Sequence, residues 1–113
     1  KAREFKVWGS GKQSRDFIHI EDCISGILQT MDSIDNGEAL NLSTGIATSF
    51  IEFAHYALDE VGSKAEILGD ETKPTGVKSR VGDTKKQLEF GFKPTISFRQ
   101  GVRECLEYFS KSF

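Results

Sequence analysis

Gly9 and Gly11 stand two residues apart in Val7-Trp8-Gly9-Ser10-Gly11, and they limit what the chain can do there more than any other feature. Glycine reaches positive φ without strain, so a strand that alternates through residues 2–8, with Phe5 and Val7 on one face, must turn here. Arg15 follows the turn. Phe17, Ile18 and Ile20 come next, aromatic and β-branched, and predict a second short strand. Glu21 and Asp22 then place negative charge in the first turn of a helix, where the dipole favours it. The stretch from Val7 to Asp22 reads as an arm that offers one arginine to an anionic substrate.

Downstream the period lengthens. Ile20, Cys23, Ile24, Ile27, Leu28 and Met31 recur at helical spacing and predict a helix over 21–31 with a single apolar stripe. Asp35-Asn36-Gly37 predicts a turn, residues 39–42 a strand, and Ser43-Thr44-Gly45 the loop after it. Ser49 and Glu52 form a capping box ahead of a helix that buries Phe50, Phe53, Ala54, Ala57, Leu58 and Val61, with Gly62 as C-cap. Residues 65–68 predict a further strand. Residues 69–82 are polar, lack periodicity and are long for a connection, which points to a binding loop. Asp83 caps a short helix through Phe90, closed by Gly91 ahead of Pro94. Ser97 and Gln100 form a second capping box, and the last helix buries Phe98, Val102, Cys105, Leu106 and Phe109. Short strands alternating with about four helices define an α/β arrangement in one domain, residues 1–113.

Charge is distributed unevenly. The net charge is only −2, yet residues 1–15 hold Lys1, Arg3, Lys6, Lys12 and Arg15 against Glu4 alone. Residues 16–63 carry nine acids and no Lys or Arg. Lys73, Lys78, Arg80, Lys85 and Lys86 then return against Asp83. Two basic segments flank an acidic middle; they are either two solvated faces or, if they converge, one anion site. A sequence pI near 5.7 argues against a broad nucleic-acid surface. No apolar run is long enough to span a bilayer, and no signal peptide is present, so a cytoplasmic protein is expected. Cys23 and Cys105 are too few for a disulfide framework and read as buried free thiols. With Met31 its only methionine, the chain reads as a processed protein or a piece of a longer one.

An anionic ligand needs organised donors. Arg15, fixed between a glycine turn and a strand, supplies them, or else pairs structurally with Asp16 or the acidic helix start. Trp8 either stacks on a base or sugar or belongs to the core. In the loop 70–80, Lys73 is held extended by Pro74, Asp70 can accept from sugar hydroxyls, and Arg80 adds a second guanidinium. Several kinds of chemistry are absent. Ser14 stands where a G-x-G-x-x-G would need glycine. Tyr56 and Tyr108 lack a lysine four residues on. His19 and His55 lack partners at zinc spacing and read as structural, so no metal site is expected. No serine sits in a nucleophile elbow. The catalytic set is therefore empty.

Four stretches, in order, resemble the C-terminal part of nucleotide-sugar epimerases and dehydratases of the extended short-chain dehydrogenase/reductase family, most of all its GDP-L-fucose synthase-like branch. They are Val7-Trp8-Gly9-Ser10-Gly11 with Arg15-Asp16-Phe17-Ile18-His19; Asn41-Leu42-Ser43-Thr44-Gly45; Asp70 with Lys73-Pro74-Thr75-Gly76 and Asp83; and Gly91-Phe92-Lys93-Pro94 with Ile96-Ser97 and Gly101. The resemblance implies a small substrate-binding lobe without the Rossmann core. It implies that Arg15 and Lys73 contact the diphosphate of a nucleotide diphosphate-sugar, and that Trp8 and Asp70 contact nucleoside or sugar. Ser10 and Arg80 complete the expected substrate site, and Asp83 caps its helix. NAD or NADP, the glycine-rich loop and the Tyr–Lys pair are implied for an N-terminal dinucleotide-binding domain upstream, so these 113 residues alone are expected to be inactive and to bind no cofactor. Thr75, where some relatives have an acid, and the spaced pair Lys78 and Arg80 leave base and sugar open. The other reading is a free-standing module that binds a nucleotide or another polyanion without chemistry. The nine phenylalanines allow a homodimer.

Overall fold

A computed structural model describes residues 3–112. Lys1, Ala2 and Phe113 lie outside the described residues, and with them the first residue of the expected 2–8 strand. In chain order the elements are β1 (Glu4–Trp8), β2 (Ser14–Arg15), α1 (Ile20–Thr30) with a 3-10 turn Met31–Ser33, β3 (Thr48–Ser49), α2 (Phe50–Glu60), β4 (Glu66–Asp70), β5 (Ser79–Arg80), α3 (Lys85–Glu89) and α4 (Phe98–Ser112).

β1 and β4 pair in parallel, from Glu4 opposite Glu66 to Trp8 opposite Asp70. The glycines then act as expected. Gly9 and Gly11 take φ of 71° and 75°, and the Gly9 N–H donates to the Asp70 carbonyl at 2.7 Å. The turned chain carries β2 into a second, three-stranded sheet, antiparallel to β3 and parallel to β5. It also seats α2, because the carbonyls of Gly11 and Gln13 accept the otherwise orphaned N–H groups of Ile51 and Phe50. The Ser49–Glu52 capping box closes in both directions. Its counterpart at α4 is half made: Ser97 accepts from the Gln100 N–H, but the Gln100 side chain turns to Glu104.

A ring of aromatics joins the layers. Phe17 packs on Phe50, Phe53 and Phe98, with Phe53 edge-on to Phe98 at 5.1 Å between centroids. Around it Val7, Ala54, Phe92 and Val102 are buried. The expected strand at Phe17–Ile20 does not form. Pairing stops at Arg15 because Asp16 turns to fasten other loops, and Ile20 already belongs to α1, capped by His19. The His19 Nδ1 accepts the Glu21 N–H at 3.0 Å, and its Nε2 lies 2.8 Å from Glu104 on α4. The structural reading of His19 is the one the geometry supports.

α1 reverses the usual burial. Its buried residues are Asp22, Gly26 and Thr30, whereas Ile20, Ile24, Ile27, Leu28 and Met31 are 48–65% exposed. Asp22 is drawn inward because its carboxylate accepts the N–H groups of Thr95 and Ile96. Residues 39–42 form no strand either, since no neighbouring strand in the described residues offers them a ladder. Cys23 is only half-buried and Cys105 is exposed, which corrects the expectation of buried thiols; both are free. In the two later helices, Val61 and Phe109 are exposed rather than buried.

Gln87 is fully buried, and its amide serves one residue as a missing strand would. Its Oε1 accepts the Ser43 N–H at 2.8 Å and its Nε2 donates to the Ser43 carbonyl at 2.9 Å. Replacing it by leucine keeps the volume and strands both backbone groups. Gln87→Leu is therefore expected to lower stability by about 1–3 kcal/mol, read as a lower urea midpoint.

Candidate functional site

The parallel pairing of β1 with β4 ends on Trp8 and Asp70, so these two residues arrive side by side. Trp8 is 56% exposed, which removes it from the core. Asp70 organises the start of the following loop: its Oδ1 takes both the N–H and the hydroxyl of Thr72, and its backbone carbonyl accepts from Lys73. The Thr72 hydroxyl and N–H, aided by the charges of Lys73 and Lys6, hold the Asp70 carboxyl below the usual aspartate range against a small desolvation penalty. Oδ2 takes no hydrogen bond among the described residues. Ser10 half-closes the turn below, accepting the Lys12 N–H at 3.2 Å.

Arg15 and Arg80 face each other in register across β2 and β5, with Ser14 and Ser79 sharing a hydroxyl–hydroxyl bond of 2.8 Å on the alternate position. Like charges opposite each other in a sheet repel. Neither guanidinium has a carboxylate within ion-pair distance among the described residues. The Arg15 side chain is nevertheless fixed. Its Nη1 donates to the carbonyls of Ser14 at 2.7 Å and Val77 at 2.8 Å, its Nη2 reaches the Thr75 carbonyl at 3.4 Å, and its plane lies over the Phe50 ring at 5.5 Å. The two basic segments thus meet: the arm that carries Arg15 grips the loop that carries Lys73, and β5 brings Arg80 alongside.

The alternative of an Arg15–Asp16 pair is not what the structure builds. Asp16 is committed elsewhere, accepting the Thr44 N–H and hydroxyl, the Gly45 N–H and the Gly82 N–H. Burial raises its pKa, but these hydrogen bonds together outweigh that and leave it below the usual aspartate range. The arginine is left without a counter-ion because its neighbour serves as an amide acceptor. Sequence reasoning did not find this role of Asp16, nor that of Asp22. An aspartate followed by an aromatic looks the same whether it binds ligand or backbone.

Gly9-Ser10-Gly11 does not fit a dinucleotide. It opens onto the two-residue strand β2 rather than onto a helix, and the helix N-terminus beside it, that of α2, already has its Phe50 and Ile51 N–H groups taken by the Gln13 and Gly11 carbonyls. Asp83 is not the cap expected: the N-cap of α3 is Thr84, which makes no side-chain cap, and Asp83, one residue earlier, accepts the Lys85 N–H through its Oδ1 at 2.9 Å. His19, Glu21 and Glu104 bring ligand-type atoms together, but the cluster sits at the positive end of α1, where a cation is disfavoured.

This arrangement, two small sheets with α2 and α4 and an arginine-bearing arm against a lysine-bearing loop, is similar to the C-terminal part of extended short-chain dehydrogenase/reductases. The sequence model of the NAD dependent epimerase/dehydratase family matches residues 1–43. GDP-L-fucose synthase of Sinorhizobium fredii is 31% identical over 103 residues, 91% of this chain and 33% of that protein. UDP-glucose 4-epimerase of Thermotoga maritima, solved with UDP-glucose, superposes with a TM-score of 0.87 at 26% identity, over 96% of this chain and 35% of that one. A Pseudomonas aeruginosa protein solved with NADPH shares the fold, with a TM-score of 0.87 at 22% identity, over 100% of this chain and 38% of that one. The chain spans about a third of the length of the relatives it matches, and the match is to their C-terminal part. No helix among the described residues is long and apolar enough to cross a membrane.

Because Asp16 is held ionised by folding, it stabilises the native state above the unfolded aspartate pKa of about 3.9, and that contribution is lost as pH falls below it. Asp16→Asn is expected to lower the urea midpoint at pH 7. The gap between variant and parent is expected to close as pH falls towards 3.

Proposed function

We propose that the chain is the substrate-binding lobe of an NAD(P)-dependent nucleotide-sugar epimerase, reductase or dehydratase, and that it grips the diphosphate of the nucleotide-sugar. The observation that carries this is the meeting of Arg15, Arg80 and the Lys73 loop around a guanidinium with no carboxylate partner. A diphosphate would relieve the repulsion between the two register-paired arginines, and its charge matches their donors. Trp8 beside Asp70 supplies a flat apolar face next to a carboxylate oxygen, which suits a sugar or base with hydroxyls at its edge. Relatives such as the Sinorhizobium and Thermotoga proteins, named for GDP- and UDP-linked sugars, support the substrate class. The cofactor and the proton-transferring residues belong, in this reading, to an upstream dinucleotide-binding domain. When bound there, NAD(P) supplies the hydride chemistry. This lobe orients the sugar by holding its diphosphate.

The exposed face of α1 supports that partner over a free-standing module. Ile24, Ile27, Leu28 and Met31 form a continuous apolar stripe of the kind that isolated soluble domains seldom leave open. It runs on through Ile20 into an apolar groove of about 420 Å3 between α2 and α4. Residues 39–42, extended in sequence pattern but unpaired, lie just downstream. A helix with an uncovered apolar face followed by a strand without a ladder is half of an α/β layer, and a sheet from the rest of the protein would complete both.

Two measurements test these points. In the full-length protein, Arg15→Ala is expected to reduce kcat/KM for the nucleotide-sugar by about 10- to 100-fold; unchanged kinetics would remove the central residue. Ile24→Asp with Leu28→Asp is expected to raise the solubility of the 113-residue chain. The same pair should lower the thermal stability of the full-length protein; a neutral result there would deny that this face is covered.

A further inference from the structure

We infer that Arg15 uses opposite edges of one guanidinium to couple an anion in the site to the shape of the 71–78 loop, with Gly76 keeping the anion edge open. This rests on the anion-binding reading above. Arg15 is then a positioning residue for the loop as well as a ligand for the anion.

The division of the guanidinium is visible in its hydrogen bonds. Nη1 commits both of its N–H groups, to the carbonyls of Ser14 and Val77. Nη2 commits one, over a longer distance, to Thr75. Nε and the second Nη2 hydrogen donate to nothing among the described residues. Those two N–H groups are parallel and form the edge to which a phosphate binds in bidentate fashion. The Phe50 ring under the plane fixes the tilt, so the free edge is presented in one direction.

The loop needs this support. Every residue from Glu71 to Arg80 is exposed. Among the described residues, the hydrogen bonds that reach Thr75–Val77 from outside the loop both come from Arg15. Gly76 takes φ of 70°, and a Cβ there would stand 3.1 Å from the Arg15 Nη2. Any side chain would press on the atom shared between the loop edge and the anion edge. Glycine at this position is required by the backbone and by the guanidinium together.

Loop and anion therefore hold the same side chain from compatible sides. Whichever binds first removes freedom that the other would otherwise have to remove, and the coupling is reciprocal. An anion in the site tightens the loop, and a correctly shaped loop strengthens anion binding.

Limited trypsin digestion reads the loop directly, because Lys78 is exposed at its end and Arg80 is exposed just beyond it in β5, whereas Lys73 precedes proline. The probe is inorganic pyrophosphate, with sodium chloride of equal ionic strength as the control. Cleavage after Lys78 and Arg80 is followed by mass spectrometry, and binding by calorimetry. In the full-length protein, saturating pyrophosphate is expected to slow these cuts by about 5-fold or more. Arg15→Lys, whose ammonium has no second edge, is expected to retain weakened pyrophosphate binding and lose the protection. Gly76→Ala is expected to be cut faster without ligand and to bind more weakly, with circular dichroism confirming that each variant is folded. Binding to the full-length parent without protection, or full protection in Arg15→Lys, would overturn the coupling while leaving the anion site intact. No pyrophosphate binding to the full-length parent would overturn both.

Discussion

The Asp16 carboxylate gathers three backbone N–H groups and one hydroxyl from two loops that are far apart in sequence, at Thr44–Gly45 and at Gly82. Those loops have no sheet to hold them. Buried or half-buried amides need acceptors, and an ionised carboxylate is the strongest acceptor a side chain offers. Asp22 does the same for Thr95 and Ile96, and Gln87 does it for Ser43 with a neutral amide. The lobe is held by side chains that stand in for missing strands. This explains how a molecule with few buried apolar residues keeps long irregular connections in place.

That use of acids also sets the electrostatics of the site. An aspartate next to an arginine would ordinarily neutralise it. Here the aspartate is turned away by its amides, so the guanidinium keeps its charge while carbonyls and a phenyl ring fix its position. Carbonyls orient a cation without cancelling it. Arg80 in register adds repulsion that only an anion can relieve. In the proposed reading, the fixed Arg15 guanidinium favours a diphosphate because its reorganisation has been completed by folding.

The same thrift with buried area leaves surfaces open. The apolar face of α1 and the apolar groove beside Ile20 are larger than isolated domains usually leave open. In the proposed reading a neighbouring layer would cover them.

Much was legible in the chain. Glycines at 9 and 11 forced the turn, the Ser49–Glu52 pair set the start of α2, and helical periodicity located α1, α2 and α4, because these depend on backbone sterics and local hydrogen bonds. The motif order around Arg15, Asp70 and Lys73 brought the candidate site residues to notice for the same reason: each lies at a turn or strand end with its own local signal. Tertiary structure decided the rest. Periodicity identified the apolar stripe of α1 but not its outward orientation, since a stripe does not say which layer covers it. Residues 39–42 have strand character and no strand, because a ladder needs a partner the pattern cannot supply. The roles of Asp16, Asp22 and Gln87, and the split use of the Arg15 guanidinium, depend on groups that only folding brings within 3 Å, and no local rule encodes contacts across that separation.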